Sequence, residues 1–222
     1  MINMGTLAPI RSNIQSLALE SFWLEDCSLD PLDCLTCPAL RALSINSFHT
    51  FSPMHFESLL RFLSRSSPPL RECIINSLPL GEAPMVQCLD AMPTLVRLEI
   101  GSLTQTIAND IFSRMCDKNT LFLPRLQELR VDVSPDDGSV WAVPWTYDSV
   151  VQMLVSRWNS RDTDNISQLQ YFGLEFPAPL YGFYDHQGLV LKPDPETLSQ
   201  FAELIREGMD IELPGCDEDW ML

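Results

Sequence analysis

The chain has 222 residues, 45% hydrophobic and 20% charged, with 14 Lys and Arg against 30 Asp and Glu, a formal net charge of −16. That apolar share excludes a disordered chain, and no uninterrupted apolar stretch nears the ~20 residues a membrane-spanning helix needs. The charge argues against nucleic acid, whose binding draws on Lys and Arg displacing counterions from phosphates.

Met1 to Ile10 lacks the cationic flank and apolar segment of a secretory leader. Ile14/Leu17/Leu19 then opens a series of apolar-x-x-apolar-x-apolar segments. The series continues at Leu40/Leu43/Ile45, Leu70/Cys73/Ile75, Leu95/Leu98/Ile100, Leu126/Leu129/Val131 and Leu169/Phe172/Leu174. Last members of successive segments stand 26, 30, 25, 31 and 43 residues apart. Each segment predicts a short strand, because positions two apart share a face. Pro38, Pro68 or Pro69, Pro93 and Pro124 stand just before four of them, where a residue with no N–H to donate suits a turn.

Helical spacing fills the intervals. Phe56, Leu59, Leu60 and Leu63 follow Ser52-Pro53, a cap and first helical residue. Ile107, Ile111, Phe112 and Met115 predict a second helix, and Val150, Val151, Leu154 and Trp158 a third. Leu198, Phe201, Ala202 and Ile205 predict a fourth, starting at Asp194-Pro195 and stopping at Gly208. So short a strand-and-helix unit cannot bury both parts alone, and neighbouring units must stack over one shared core.

These segments resemble leucine-rich repeats over about residues 10–213, in an irregular, helix-bearing form that mostly lacks the usual Asn or Cys after the last leucine. More narrowly, Leu-Pro-Arg-Leu-Gln-Glu-Leu-Arg-Val (123–131), Val-Val-Gln-Met-Leu-Val-Ser-Arg-Trp (150–158) and Phe-Ala-Glu-Leu-Ile-Arg-Glu-Gly-Met-Asp-Ile (201–211) are similar to the C-terminal part of fungal F-box proteins with leucine-rich repeats. The resemblance implies an α/β, right-handed solenoid of about six to seven irregular repeats, with a curved parallel sheet on its concave side and helices on its convex side. It also implies a substrate receptor of a ubiquitin ligase, in which an F-box docks on an adaptor and the repeats hold the client. Residues 1–11 are too short for an F-box, so the resemblance does not extend to adaptor contact. The expected organisation is one domain over residues 1–213, then an acidic tail over 214–222.

Chemistry is hard to place in this sequence. The nine glycines contain no G-x-G, which phosphate-binding loops and nucleophile turns need for close backbone approach. His49, His55 and His186 do not supply the two histidines a turn apart that zinc proteases use. Cys34-x-x-Cys37 has the spacing of half a zinc site or a redox pair, but reads as buried filler. Asp26/Asp30 and Asp136/Asp137 are paired carboxylates with nothing nearby to separate their pKa values. No catalytic residue and no cofactor is expected. Seven irregularly spaced cysteines suit reduced thiols in the cytoplasm or nucleus, and Asn165-Ile166-Ser167 reads as a coincidental glycosylation match.

The binding surface expected is the open face of the sheet. Stacked strands align a first column of Ser16, Ala42, Glu72, Arg97, Glu128 and Tyr171. The second is Ala18, Ser44, Ile74, Glu99, Arg130 and Gly173, and the third Glu20, Asn46, Asn76, Gly101, Asp132 and Glu175. Glu72, Arg97, Glu99, Glu128 and Arg130 then form a lattice of alternating charge. It either neutralises itself across strands or, with Tyr171, receives a protein client. Trp141 and Trp145, and Tyr181 and Tyr184, stand in two interruptions of the spacing, to cap the last repeats or to join in recognition. The function expected is noncatalytic protein binding, as the recognition part of an F-box-type ligase receptor or as a free-standing scaffold or decoy.

Overall fold

The computed structural model describes residues 14–25, 29–46, 53–76, 82–117, 120–134, 147–160, 165–176 and 193–213. It is a mixed α/β structure, with six helices among these residues. A seven-stranded sheet runs in order through β2 (Ser21–Glu25), β4 (Ala42–Asn46), β5 (Glu72–Asn76), β6 (Arg97–Thr104), β7 (Glu128–Ser134), β8 (Tyr171–Glu175) and β9 (Asp210–Glu212). All its pairings are parallel. Between them stand α1 (Asp30–Cys34), α2 (Pro53–Ser66), α3 (Glu82–Asp90), α4 (Gln105–Cys116), α5 (Asp148–Trp158) and α6 (Pro195–Arg206), while β1 (Ile14–Gln15) pairs apart with β3 (Leu35–Thr36).

One face of the sheet is apolar throughout. Leu43, Cys73, Leu98, Leu129 and Phe172 lie in register, as do Leu24, Ile45, Ile75, Ile100, Val131 and Leu174, all buried. A third buried row, Leu40, Leu70, Leu95, Leu126 and Leu169, lies three residues before the first. Each such side chain contributes ~1.5–3 kcal/mol of transfer free energy. The helices close this face, α2 with Phe56, Leu59, Phe62 and Leu63, and α4 with Ile107, Ile111, Phe112 and Met115.

The strands are set in register by one recurring backbone device. The carbonyl just before each strand accepts from the two N–H groups that open the next. Glu20 accepts from Arg41 and Ala42, Arg41 from Arg71 and Glu72, Arg71 from Val96 and Arg97, Val96 from Gln127 and Glu128, and Gln127 from Gln170 and Tyr171. Prolines shape the approach, with Pro38, Pro93 and Pro124 each second in a turn closed by a bond from Leu40 to Cys37, Leu95 to Met92 and Leu126 to Leu123.

The first strand is a correction. Ile14/Leu17/Leu19 is not the first rung; Leu19/Phe22/Leu24 is, five residues later. Both triplets fit the pattern, but only the second lets Glu20 make the carbonyl bonds above, and Leu17 is left 68% exposed. Ser21, Trp23 and Glu25 therefore replace Ser16, Ala18 and Glu20 on the open face. At the other end β9 adds a strand beyond Leu174, reached through Gly208 at φ +107°, a left-handed stop that a side chain would strain.

Two arginines tie helix ends to backbone carbonyls earlier in the chain. Arg65 of α2 donates to the carbonyls of Leu32 and Leu35 at 2.5 and 2.6 Å. Arg157 of α5, only 1% exposed, donates to the carbonyls of Phe122 and Leu123. That loop holds Leu121 and Leu123 at φ +47° and +48°, a left-handed conformation costing ~1–2 kcal/mol per residue. Burial pulls the Arg157 guanidinium down to about 10, still charged at neutral pH, so the carbonyls face a full cation in low dielectric. Removing the guanidinium takes the arginine donor from both carbonyls and leaves Leu123 the Leu126 N–H. Arg157→Ala should cost about 3–5 kcal/mol and Arg157→Met, which keeps the packed stem, about 1–3 kcal/mol, read as lower urea midpoints at unchanged slope.

Asp194 caps α6, its carboxylate accepting from the N–H groups of Glu196 and Thr197 at 2.9 and 3.0 Å and from the Thr197 hydroxyl at 2.8 Å. These bonds hold its pKa below the ordinary 3.8, those from Thr197 most. A carboxyl whose folded pKa is depressed stabilises the fold in full above the unfolded value and loses that contribution as pH falls through the folded one. Asp194→Asn keeps a capping oxygen that cannot titrate. The wild-type thermal midpoint should therefore fall towards or below that of Asp194→Asn between pH 7 and about pH 2.

Candidate functional site

The other face of the sheet is open, and its side chains follow from the register. Alternate residues of a strand point to opposite faces, so burying Leu98 and Ile100 places Arg97 and Glu99 outward, and burying Leu129 and Val131 does the same for Glu128, Arg130 and Asp132. The first column reads Ser21, Ala42, Glu72, Arg97, Glu128, Tyr171 and on to Asp210. In the second, Trp23 stands before Ser44, Ile74, Glu99, Arg130 and Gly173, and Glu212 follows.

The charges pair in a way only partly expected. Arg97 lies between its two column neighbours, 3.5 Å from Glu72 and 3.6 Å from Glu128, all three about half exposed. Arg130 makes its ion pair with neither Glu99 nor Glu128 but with Glu175 of β8, one strand over and two residues along. The hydrogen bond to Glu175 is the main reason its guanidinium pKa is raised, with Glu99 a lesser influence. Glu99 accepts instead from the Asn76 amide at 3.2 Å. Each exposed ion pair is worth at most ~1 kcal/mol.

Two glycines make this arrangement fit. A Cβ on Gly173 would stand 2.7 Å from the Tyr171 hydroxyl oxygen and 3.2 Å from Arg130 Cγ, so its absence lets both side chains lean over β8. A Cβ on Gly101 would stand 2.9 Å from Asn76 Oδ1. Beyond Gly101 the β6–β7 register shifts, with Ser102 at φ +56°. Tyr171 donates to Glu212 at 2.7 Å; burial first and that carboxylate second push its phenol up to about 12, so it remains a neutral donor. Asp132 is half-buried there, its pKa raised by burial against a lowering bond from the Ser102 backbone.

The face dips between β6 and β9. A depression of about 320 Å³ is lined by Arg97, Leu98, Glu99, Glu128, Arg130, Tyr171 and Asp210. Five of the six face residues expected from sequence line it, and Glu72 touches its rim through Arg97. Sequence reasoning missed Asp210, because β9 carries Gly208 where the other strands have an early leucine. The signal available was Ile211 and Leu213, two residues apart after a helix stop. It also missed Trp23, 66% exposed, through the displaced first rung.

Trp141, Trp145, Tyr181 and Tyr184 lie outside the described residues, as do Asp26, Asp136, Asp137, His49, His186 and the tail over 214–222. Cys37 is buried, with its thiol pKa raised by that burial, and Cys34 is half-buried at the end of α1. Burial holds Cys73 and Cys88 up at about 12, too high for a reactive thiolate. Among the described residues no three or more His, Cys, Asp or Glu side chains are grouped to hold a metal ion, and no helix is long and apolar enough to cross a membrane.

The arrangement can present charge, hydrogen-bond donors and one aromatic ring on a rigid surface. Comparison of the chain with protein-family models, with curated proteins and with solved structures finds no match.

Proposed function

We propose that the chain is a leucine-rich-repeat solenoid serving as a noncatalytic protein-binding module, the client-recognition part of an F-box-type ubiquitin ligase receptor. One observation carries the binding role. The sheet's open face gathers Arg97, Glu99, Glu128, Arg130 and Tyr171 around a single depression, on strands held rigid by the core behind them. A surface fixed from behind loses little conformational entropy when a partner docks, which favours recognition. The ligase role rests on the resemblance of 123–131, 150–158 and 201–211 to F-box proteins. In that role the client lies on what becomes the concave side, and the adaptor is engaged outside the repeats.

The test is affinity capture with the tagged chain, in parallel with two variants. Glu99→Arg with Tyr171→Ala alters the depression, and Arg114→Glu alters an exposed position on α4. A client held through the sheet should be lost from the first variant by about tenfold or more, equivalent to ~1.4 kcal/mol, and kept by the second. Adaptor and cullin subunits recovered with the client place the chain in a ligase, whereas a client alone assigns it to a free-standing scaffold. A client indifferent to the first variant, with circular dichroism unchanged, removes the sheet face as the interface.

A further inference from the structure

We propose that the open face takes an extended, lysine- or arginine-rich segment of a protein client, with an apolar residue at the end that meets β2 and its cations at the end that meets β6 to β9. The inference rests on the preceding reading of the face as an interface and adds the chemistry of what occupies it.

The charge of the face selects the partner. Among the described residues its three columns carry eight carboxylates, on Glu25, Glu72, Glu99, Glu128, Asp132, Glu175, Asp210 and Glu212, against the guanidiniums of Arg97 and Arg130. Both cations are already spoken for, Arg97 by Glu72 and Glu128 and Arg130 by Glu175. An acidic client would have to break these pairs to reach them and would then meet the remaining carboxylates. A basic client finds Glu99 and Asp210 lining the depression with no ion pair to any described residue, and Glu212 held only by the neutral Tyr171 hydroxyl. A second copy of this chain, at −16, is electrostatically mismatched.

The polarity of the face sets direction and length. Its β2–β5 half offers Trp23, Ala42, Ser44 and Ile74, uncharged apart from the flanking Glu25 and Glu72, with Trp23 the large exposed apolar side chain there. Its β6–β9 half holds the depression and the carboxylates. Six steps between strands, at about 4.8 Å each, span roughly 29 Å, the length of about nine extended residues. The ring of Trp23 suits an aliphatic side chain or the stem of a lysine.

The probe is a fluorescein-labelled nine-residue peptide with Leu near one end and four Lys toward the other, compared on the full chain with versions carrying Ser or Glu in place of Lys. The Lys peptide should bind at least about tenfold more tightly than the Ser peptide, with affinity falling as salt rises, and the Glu peptide should bind most weakly. Asp210→Asn with Glu212→Gln should weaken the Lys peptide about three- to tenfold, whereas Glu57→Gln with Asp110→Asn, the same charge change on α2 and α4, should leave it unaltered. Arg97→Gln with Arg130→Gln should tighten it, because three carboxylates are released. Weakening by that last pair, preference for the Glu peptide, or equal effects of the face and helix pairs would overturn the proposal. If the Lys preference fails while Glu99→Arg/Tyr171→Ala still loses the captured client, only the chemistry assigned here is wrong. If the client ignores those substitutions as well, the face is not the interface.

Discussion

Everything on the open face is placed by what happens on the hidden one. Leu43, Leu98 and Leu129 are fully or almost fully buried, and their strands are parallel and in register. A slip of one residue in any strand would turn its leucines to water and its charges into the core. That penalty amounts to several large side chains at ~1.5–3 kcal/mol each, far more than the ~1 kcal/mol of any ion pair on the surface. The column of Glu72, Arg97, Glu128 and Tyr171 is thus a consequence of apolar burial, and the ion pairs settle afterwards into positions already chosen. Such a surface can change its charges without disturbing its fold, which a recognition surface needs.

The joints between strands carry the second constraint. A parallel sheet with helices packed on one side requires the chain to turn at both ends of every helix, and each turn leaves backbone carbonyls facing the interior. Prolines 38, 93 and 124 solve this with turns that close on themselves. In the loop before β7, which adds left-handed Leu121 and Leu123 to the Pro124 turn, a buried arginine supplies further donors. Arg157 is therefore a structural charge, costly to bury and costlier to remove. It sits on the opposite side of the sheet from Arg97 and Arg130, and the three show how little residue type alone says about role.

The sheet's middle was legible in the sequence because leucine and isoleucine occupy equivalent places at Leu40/Leu43/Ile45, Leu95/Leu98/Ile100 and Leu126/Leu129/Val131, with a proline before each. The ends were not. Leu19 closes one triplet and opens another, and only the Glu20 carbonyl bonds to Arg41 and Ala42 decide between them. At the far end Gly208 stands where a leucine marks other strands, so β9 and Asp210 were hidden. Helix α3 escaped because Pro84 interrupts its first turn and because Met85, Val86, Cys88 and Leu89 spread their burial over a broad face. At the site, column membership was readable, but Arg130's choice of Glu175 was not. Adjacency in a column is fixed by backbone register, whereas a long side chain reaches diagonally wherever Gly173 clears the way.

That diagonal pairing sets how charge is distributed over the face. With Arg130 drawn toward Glu175, Glu99 keeps the Asn76 amide as its hydrogen-bond partner, and Glu99 and Asp210 line the depression without an ion pair to any described residue. An alternating lattice is self-satisfied and offers a visitor of either sign no advantage. A lattice with one cation displaced to one side carries a local excess, and an excess of fixed charge on a rigid surface attracts the opposite sign at a distance and penalises the same sign on contact. Gly173, by letting two side chains lean across β8, sets where on this acidic face the cations sit.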